Sequence, residues 1–315
     1  LNYAAQPFIV AVDPVAPPAA LYGAVLAIGN FDGVHLGHRA VLARAKELAQ
    51  SLEAPSAALT FEPHPSDYFA GRPVVFRLTP FAEKAAALAE LGLSGVVSLT
   101  FDARLASLTA EAFVEEILLG RLGARGVVVG ADFHFGKGRS GSPAFLQRAG
   151  ERLGFAVEIA EKIEDGGEVV SSSAIRTALE RGDLEDAVRL LGRPYIVSGT
   201  VIGGQKLGRT LGVPTANMAL PATNRLAFGV YAVRARLEGR TLEGVASFGV
   251  RPSVDHGAAL LETFLFDFDE EIYGREMSVE LVTRLRPELK FASLEDLKAA
   301  MQADIAAARE ALARL

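Results

Sequence analysis

The sequence predicts an α/β chain in two parts. An N-terminal parallel sheet with flanking helices is followed by a small C-terminal antiparallel β-barrel that ends in a helix. Three observations predict this. The chain has 315 residues, and a single core rarely grows past about 250 before it splits. Its first half alternates short β-rich runs with helix-period stretches, the texture of βαβ units. After about Arg181, strand follows strand with Gly-rich connections, which suits a small barrel. The boundary is expected near residue 188, giving domains 1–187 and 188–315.

Each element has its own signal. Tyr22–Asn30 is rich in Val, Leu and Ile and reads as a buried strand, and an amphipathic helix runs from about Leu36 to Leu52. Ala57–Phe61, Gly95–Leu99 and Gly126–Val129 read as further strands, with helices over Pro80–Leu91 and Thr109–Leu119. Glu185–Leu191 looks like the close of a helix, broken by Gly192-Arg193-Pro194. The barrel strands are expected at Tyr195–Ile202, Gly229–Leu237, Thr241–Phe248, Leu260–Asp267 and Met277–Arg284, with a hairpin turn at Glu238-Gly239. Ser293 opens the last helix, with Asp296 placed for a capping box and apolar residues at Leu297, Met301 and Ile305.

Composition narrows the chemistry. Half the residues are apolar and 22% are charged, which fits a soluble globular protein. The net charge of −6 argues against bulk nucleic-acid binding. No apolar run approaches the roughly 18 residues of a membrane span, and the N-terminus lacks the basic start and apolar block of a signal peptide. A cytoplasmic location without membrane or nucleic-acid partners is therefore expected. The absence of cysteine excludes disulfides, thiolate metal sites and a cysteine nucleophile. Oligomeric state is left open between a monomer and a weak homo-oligomer.

Two motifs fall in the first half. Gly29-Asn30-Phe31-Asp32-Gly33-Val34-His35-Leu36-Gly37-His38 joins the first strand to the first helix and holds two of the five histidines. Glycines allow close backbone approach, helix N–H groups offer an anion site, and His35 and His38 share a helix face. Such imidazoles can bind phosphate oxygens and the charge on a leaving pyrophosphate. Ser171-Ser172-Ser173 precedes an apolar-periodic run, with Arg176 one turn in. The serines cap a helix and also make a second phosphate cradle. Between these motifs, Gly130–Gly141 carries four glycines in twelve residues and suits a flap over phosphate and an aromatic ring.

In the second half, Gly203-Gly204-Gln205-Lys206-Leu207-Gly208-Arg209-Thr210 nearly spells a Walker A motif. A P-loop must open a helix, and Gly212 and Pro214 preclude one, so this is a Gly-rich phosphate flap of another kind. Thr215 and Asn217 alternate in an extended segment and point the same way. Spacing alone leaves them as a polar loop or as neutral-oxygen ligands for Mg²⁺.

The HxGH turn at His35–His38, with the later SSxxxR element, resembles the nucleotidyltransferase superfamily. With Phe61-Glu62-Pro63-His64-Pro65 and Gly130–Gly141, it more narrowly resembles the FMN adenylyltransferase module of bacterial bifunctional FAD synthetase. Gly199–Asn217, with its GRxLGxPTAN core, resembles the riboflavin kinase module of the same family. Ser247–Ser253, Glu262, Tyr273-Gly274 and Leu285–Phe291 then follow in the family's order.

The resemblance implies a nucleotidyltransferase-type sheet domain and a riboflavin kinase-like barrel that together convert riboflavin to FMN and FMN to FAD, with ATP and Mg²⁺. It implies ATP binding by Asn30, Asp32, His35, His38, Ser172 and Arg176, the two histidines being catalytic. Phe61, His64, Asp132 and Phe133 would face FMN. In the kinase half, Gly203, Gly208, Arg209, Thr215 and Asn217 would hold the nucleotide, with Thr215 and Asn217 on Mg²⁺. Glu262 would be the base for the riboflavin hydroxyl, and Arg286 would meet the flavin. An apolar setting beside Leu261, Phe264 and Phe266 suits a carboxylate base, although strand alternation alone would simply turn Glu262 outward. The chain departs from the family at Ser247, Ser253 and Phe264. These departures keep a second reading open, an adenylyltransferase whose barrel only senses flavin.

Overall fold

The computed structural model describes residues 7–203, 213–250 and 259–314. It divides into two compact units, Leu1–Ser172 and Ser173–Leu315.

Unit one is built on six strands: β1 (Ile9–Val12), β2 (Val25–Ile28), β3 (Ser56–Glu62), β4 (Gly95–Thr100), β5 (Gly126–Gly130) and β6 (Ala156–Ala160). Every pairing between them is parallel, in the order β1-β4-β3-β2-β5-β6. A parallel sheet is covered on both faces, which is why its central strands read as continuous apolar runs. Alternation divides their residues between two cores. Leu26, Ile28, Leu59 and Val127 pack with Phe113, Leu118 and Leu146. Val25, Ala27, Ala58 and Val128 pack with Leu42, Ala45 and Leu48 of helix α1 (Leu36–Ser51).

From β2 the chain winds outward through β3 and β4, and it then crosses back to place β5 on the other side of β2. Such a reversal opens a crevice beyond the carboxyl ends of the two strands, where ligands of open α/β sheets bind. The Gly29–His38 turn leaves β2 there, and the Gly130–Gly141 loop leaves β5 there. The remaining helices are α2 (Pro65–Ala70), α3 (Phe81–Glu90), α4 (Ala103–Ser107), α5 (Ala110–Ala112) and α6 (Pro143–Leu153). Alpha5 runs directly into a π-helical stretch, Phe113–Arg121. A small hairpin, β7 (Glu164–Asp165) with β8 (Glu168–Val169), precedes α7 (Ser172–Arg181).

The expected strands are present, with the first shortened to Val25–Ile28 because the chain turns at Gly23 (φ +71°) and again after Ile28. Beta1, α6 and β6 were not expected from the sequence.

In unit two, α8 (Leu184–Leu191) leads into β9 (Tyr195–Thr200), β10 (Ala216–Ala219), β11 (Gly229–Leu237), β12 (Arg240–Val250), β13 (Ala259–Leu265) and β14 (Glu276–Pro287). These form one antiparallel sheet in the order β10-β13-β12-β11-β14-β9. The sheet curls until its edges meet, and Ile202 N–H donates to the Asn217 carbonyl across the seam at 2.8 Å. The hairpin between β11 and β12 turns on Glu238 and Gly239, both at positive φ (50° and 80°), as a two-residue turn of matching twist requires. Helix α9 (Leu294–Ala313) is capped by Ser293, whose Oγ accepts from Asp296 N–H at 3.1 Å. It packs Ala308 and Leu312 against Val230, Ala232, Val245 and Phe266 on one face of the sheet.

Candidate functional site

In unit one, the turn after β2 is built from uncommon backbone. Phe31 and Val34 both take left-handed φ, 49° and 46°, with Gly33 at 95° between them. His35 then caps α1, and its Nδ1 accepts the His38 backbone N–H at 3.3 Å. That bond leaves Nε2 to carry the proton of a neutral His35 ring. The two imidazoles stack with centroids 3.6 Å apart and planes at 21°, and Phe31 meets His38 edge-on at 5.3 Å. Gly37 keeps this packing uncrowded, since a β-carbon there would lie 3.2 Å from the His35 ring and 3.1 Å from the Val170 carbonyl.

The structure brings the other motifs to this turn. The Asn30 side-chain nitrogen lies 3.2 Å from His64 Nε2, and His64 caps α2 through Ser66 N–H at 3.1 Å. Ser172 Oγ donates to the Asp32 carbonyl at 2.9 Å, which sets the start of α7 beside the turn. Arg176 lies one turn further along that helix. The Asp32 carboxylate is 1% exposed and points inward to the Leu78 and Thr79 backbone. Phe61 is buried, tilted toward Phe113 and edge-on to Phe101. Phe101 in turn contacts Tyr68 and Phe69, the latter 71% exposed.

The Gly130–Gly141 loop is stapled at its base rather than loose along its length. Phe135 is buried and bridged to Gly141, where any β-carbon would come within 2.5 Å of the Phe135 ring. Phe133 stacks on Phe135 with centroids 5.6 Å apart, and exposed Asp132 pairs with Lys162 at 3.4 Å.

An ionic network, buried at Lys84 and half-buried at Glu62 and Arg77, lies beneath these elements. Lys84, 1% exposed, donates to Glu62 Oε1 at 2.9 Å and Thr60 Oγ1 at 3.2 Å. Arg77 grips the same Glu62 carboxylate with two bonds of 2.6 and 2.9 Å. Burial raises the Glu62 pKa, but the Arg77 bonds and the Lys84 charge outweigh it and hold the carboxyl below its ordinary value. Burial pushes the Lys84 ammonium down despite Glu62. On sequence alone, Lys84 is an unremarkable lysine in FAEKAAALAE.

In unit two, pairing register aligns three residues far apart in sequence. Glu262 on β13 lies directly opposite Asn217 on β10 and opposite Ser247 on β12. Directly opposed β-carbons are about 4.5–5.5 Å apart and share a sheet face. Asn217 is 4% exposed, and Thr215 Oγ1 donates to its Oδ1 at 3.4 Å. A hydroxyl and an amide oxygen this close, with a carboxylate on the next strand, form a hard-oxygen set that fits a divalent cation shared with phosphate. Thr215 lines a cavity of about 320 Å³, whose walls also include Val201, Leu265, Phe268, Ile272 and Tyr273 and the acidic Asp269, Glu270 and Glu271. Except for Tyr273, sequence reasoning did not single out these wall residues; they come from separate segments with no local motif.

Gly203 is exposed, whereas Gly208, Arg209 and Ser253 lie outside the described residues. Arg286 is paired bidentately with Asp304 of α9, both bonds at 2.7 Å, and its guanidinium lies 5.8 Å from the Phe291 ring centroid. Phe264 packs edge-on to Phe266 in the core beneath α9.

Comparison with known proteins covers both units. The FAD synthetase family matches residues 18–174 and the riboflavin kinase family matches residues 191–312. A bifunctional riboflavin kinase/FMN adenylyltransferase from Pseudomonas fluorescens is 47% identical over 91% of this chain and 92% of its own length. The chain belongs to this family. Family members from Haemophilus influenzae and Escherichia coli K12 are 42% and 43% identical over 92% and 91% of the chain, covering 94% and 92% of those proteins. A crystal structure described as a macrolide-efflux protein from Streptococcus pneumoniae superposes with a TM-score of 0.82 at 30% identity, over 94% of this chain and 97% of that one. Among the described residues, no helix is long and apolar enough to cross a membrane. The FAD synthetase match spans the β2 turn, the β5 loop and Ser172; the riboflavin kinase match spans Thr215, Asn217, Glu262 and Arg286. Arg176 falls between the two matches.

Proposed function

We propose that this bifunctional riboflavin kinase/FMN adenylyltransferase works through two separate sites, one in each unit, acting in turn on the same flavin. The observation that carries the kinase assignment is the register that sets Glu262 opposite Asn217 on adjacent strands, with Thr215 both bonded to Asn217 and lining a cavity. The apolar part of that cavity, Val201, Leu265, Phe268, Ile272 and Tyr273, would take an adenine ring, and Thr215 at its wall would lie toward the phosphates. Thr215 and Asn217 would hold Mg²⁺, which supplies charge neutralisation on the nucleotide phosphates. The riboflavin hydroxyl attacks the γ-phosphorus, its proton passes to the Glu262 carboxylate, and the bond to the bridging oxygen of ADP breaks. The family resemblance assigns Gly203, Gly208 and Arg209 to the nucleotide phosphates, and Arg286 would meet the flavin side of the site from β14.

In unit one, the FMN phosphate attacks the α-phosphorus of a second ATP and pyrophosphate leaves. An ionised phosphate needs no base, so the site requires groups that position and neutralise charge. His35 and His38 take the phosphates at the head of α1, Asn30 sits beside them, and Ser172 closes the opposite side. Phe61, His64, Asp132 and Phe133 define the FMN side, where Tyr68, Phe69 and Phe101 extend the aromatic surface. The reaction is expected to run in the cytoplasm with small molecules as its only substrates.

Incubating the purified chain with riboflavin, ATP and Mg²⁺, followed by chromatography of the flavins, tests this reading. FMN should appear first and FAD second. His38→Ala should stop FAD formation and spare FMN formation, and Asn217→Ala should do the reverse. Loss of both activities in either variant would refute separate sites. FAD formation from supplied FMN with no FMN formed from riboflavin would instead favour the barrel as a flavin sensor.

A further inference from the structure

We infer that Asp32 and Thr79 form a positioning clamp that holds the histidine turn in its catalytic shape, and that Asp32 acts through this clamp rather than as a ligand of the nucleotide. The inference rests on the reading that the His35–His38 turn carries adenylyl transfer.

The turn has a conformation that its residues do not favour. Phe31 and Val34 are non-glycine residues at φ 49° and 46°, 1% and 0% exposed. A β-branched side chain at positive φ is a steric outlier, and it persists only where surrounding contacts over-determine it. One segment supplies several of those contacts. Asp32 Oδ1 accepts the backbone N–H groups of Leu78 and Thr79, each at 3.0 Å, and Oδ2 lies 3.1 Å from the same Leu78 nitrogen. The return bond is shorter: Gly33 N–H donates to Thr79 Oγ1 at 2.7 Å, and that hydroxyl lies 3.5 Å from Asp32 Oδ1. The turn thus gives a carboxylate and receives a hydroxyl, across 46 residues of sequence. Both partners are shielded from water, Thr79 being 3% exposed.

The clamp segment is fixed from behind. Arg77 precedes Leu78, grips Glu62 with two bonds, and brings its Nε to 3.8 Å from Asp32 Oδ1. On the other side the Asp32 carbonyl receives Ser172 Oγ at 2.9 Å. Asp32 is therefore the joint where the β2 turn, the 77–79 segment and the start of α7 meet. Three residues on, His35 caps α1 and stacks on His38. A displaced turn would carry both rings away from the charge that develops on pyrophosphate, and such preorganised donors act chiefly on the transition state.

The test compares Thr79→Val, which keeps the shape and removes the hydroxyl, with Thr79→Ser, which keeps the hydroxyl and removes the methyl. FAD formation from FMN and FMN formation from riboflavin are measured on the same preparation, with the first resolved into kcat and KM. Thr79→Val should lower kcat for FAD formation at least tenfold, with KM for ATP changed less than threefold. Thr79→Ser should stay within about threefold of wild type, and FMN formation should be unchanged in both. If Thr79→Val is not soluble, Thr79→Ala takes its place with the same expectation. Val at wild-type rate, or Ser as impaired as Val, would overturn the clamp. A wild-type chain that makes no FAD would overturn the underlying reading instead, so the two failures are distinguishable.

Discussion

If Glu262 is the proton acceptor proposed above, Glu262→Gln isolates that role from everything else in the kinase site. The register fixes residue 262 opposite Asn217 and Ser247 whatever its charge, because the pairing is made by backbone. Glutamine has the same shape and retains one acceptor oxygen, so Thr215, Asn217 and the cavity walls keep their places. What disappears is the ability to take the riboflavin hydroxyl proton. A positioned general base contributes about 10²–10⁴ in rate, or about 3–5.5 kcal/mol of barrier at roughly 1.4 kcal/mol per tenfold. The expected result is a fall of that size in kcat for FMN formation, with KM for riboflavin and ATP within about threefold of wild type. Chromatography of FMN with parallel detection of ADP measures both, and FAD formation from supplied FMN on the same sample should be untouched. FMN formation within threefold of wild type would refute Glu262 as the base, and an equal fall in FAD formation would show that the substitution had damaged more than one site.

Two further outcomes follow from buried groups. Lys84→Met should cost about 1–2 kcal/mol in denaturant unfolding, because Glu62 keeps both Arg77 bonds, whereas Arg77→Met should cost more, about 2–4 kcal/mol. The reverse order would contradict the network. Because the Glu62 carboxyl is held below its ordinary value, its contribution is present above the unfolded pKa and lost as pH falls through the folded one, so the gap between wild type and Arg77→Met should narrow in acid. Burial pushes the Tyr231 hydroxyl up to about 12, outweighing the nearby Arg284 charge. Its stabilising effect is complete below pH 10 and lost as pH rises through about 12. Ultraviolet titration of the six tyrosines should show a late phenolate step near pH 12 that is missing in Tyr231→Phe; an unchanged curve in that variant would refute the assignment.

The sequence carried most of unit one because its central strands are continuous apolar runs and its first helix opens at a recognisable turn. It concealed β1, a four-residue edge strand whose Val10 and Val12 stay 49% and 62% exposed, so no buried run marks it. Helix α6 did have local signals: Ser142 caps it, Pro143 begins it and Gly154 ends it in the left-handed region. Its neighbour β6 is mostly half-buried and lacks a clear period. Motif reading found His35, His38 and Ser172, yet nothing local shows that Ser172 donates to Asp32 across 140 residues. The same holds for Asn217, Ser247 and Glu262, which are neighbours only through strand register, and for Lys84, whose partners sit on β3. Arg286, expected to meet flavin, is also a structural tie to α9 through Asp304, which a strand pattern cannot reveal.

Asn217 serves two masters. Its carbonyl receives the Ile202 amide where the sheet's two edges join, while its side chain accepts the Thr215 hydroxyl. A ligand drawn to that side chain therefore pulls on the stitch that keeps the cylinder shut, and the stitch in turn holds the side chain ready before any ligand arrives. On the proposed assignment, grip on the nucleotide and integrity of the barrel are thus coupled at a single peptide unit.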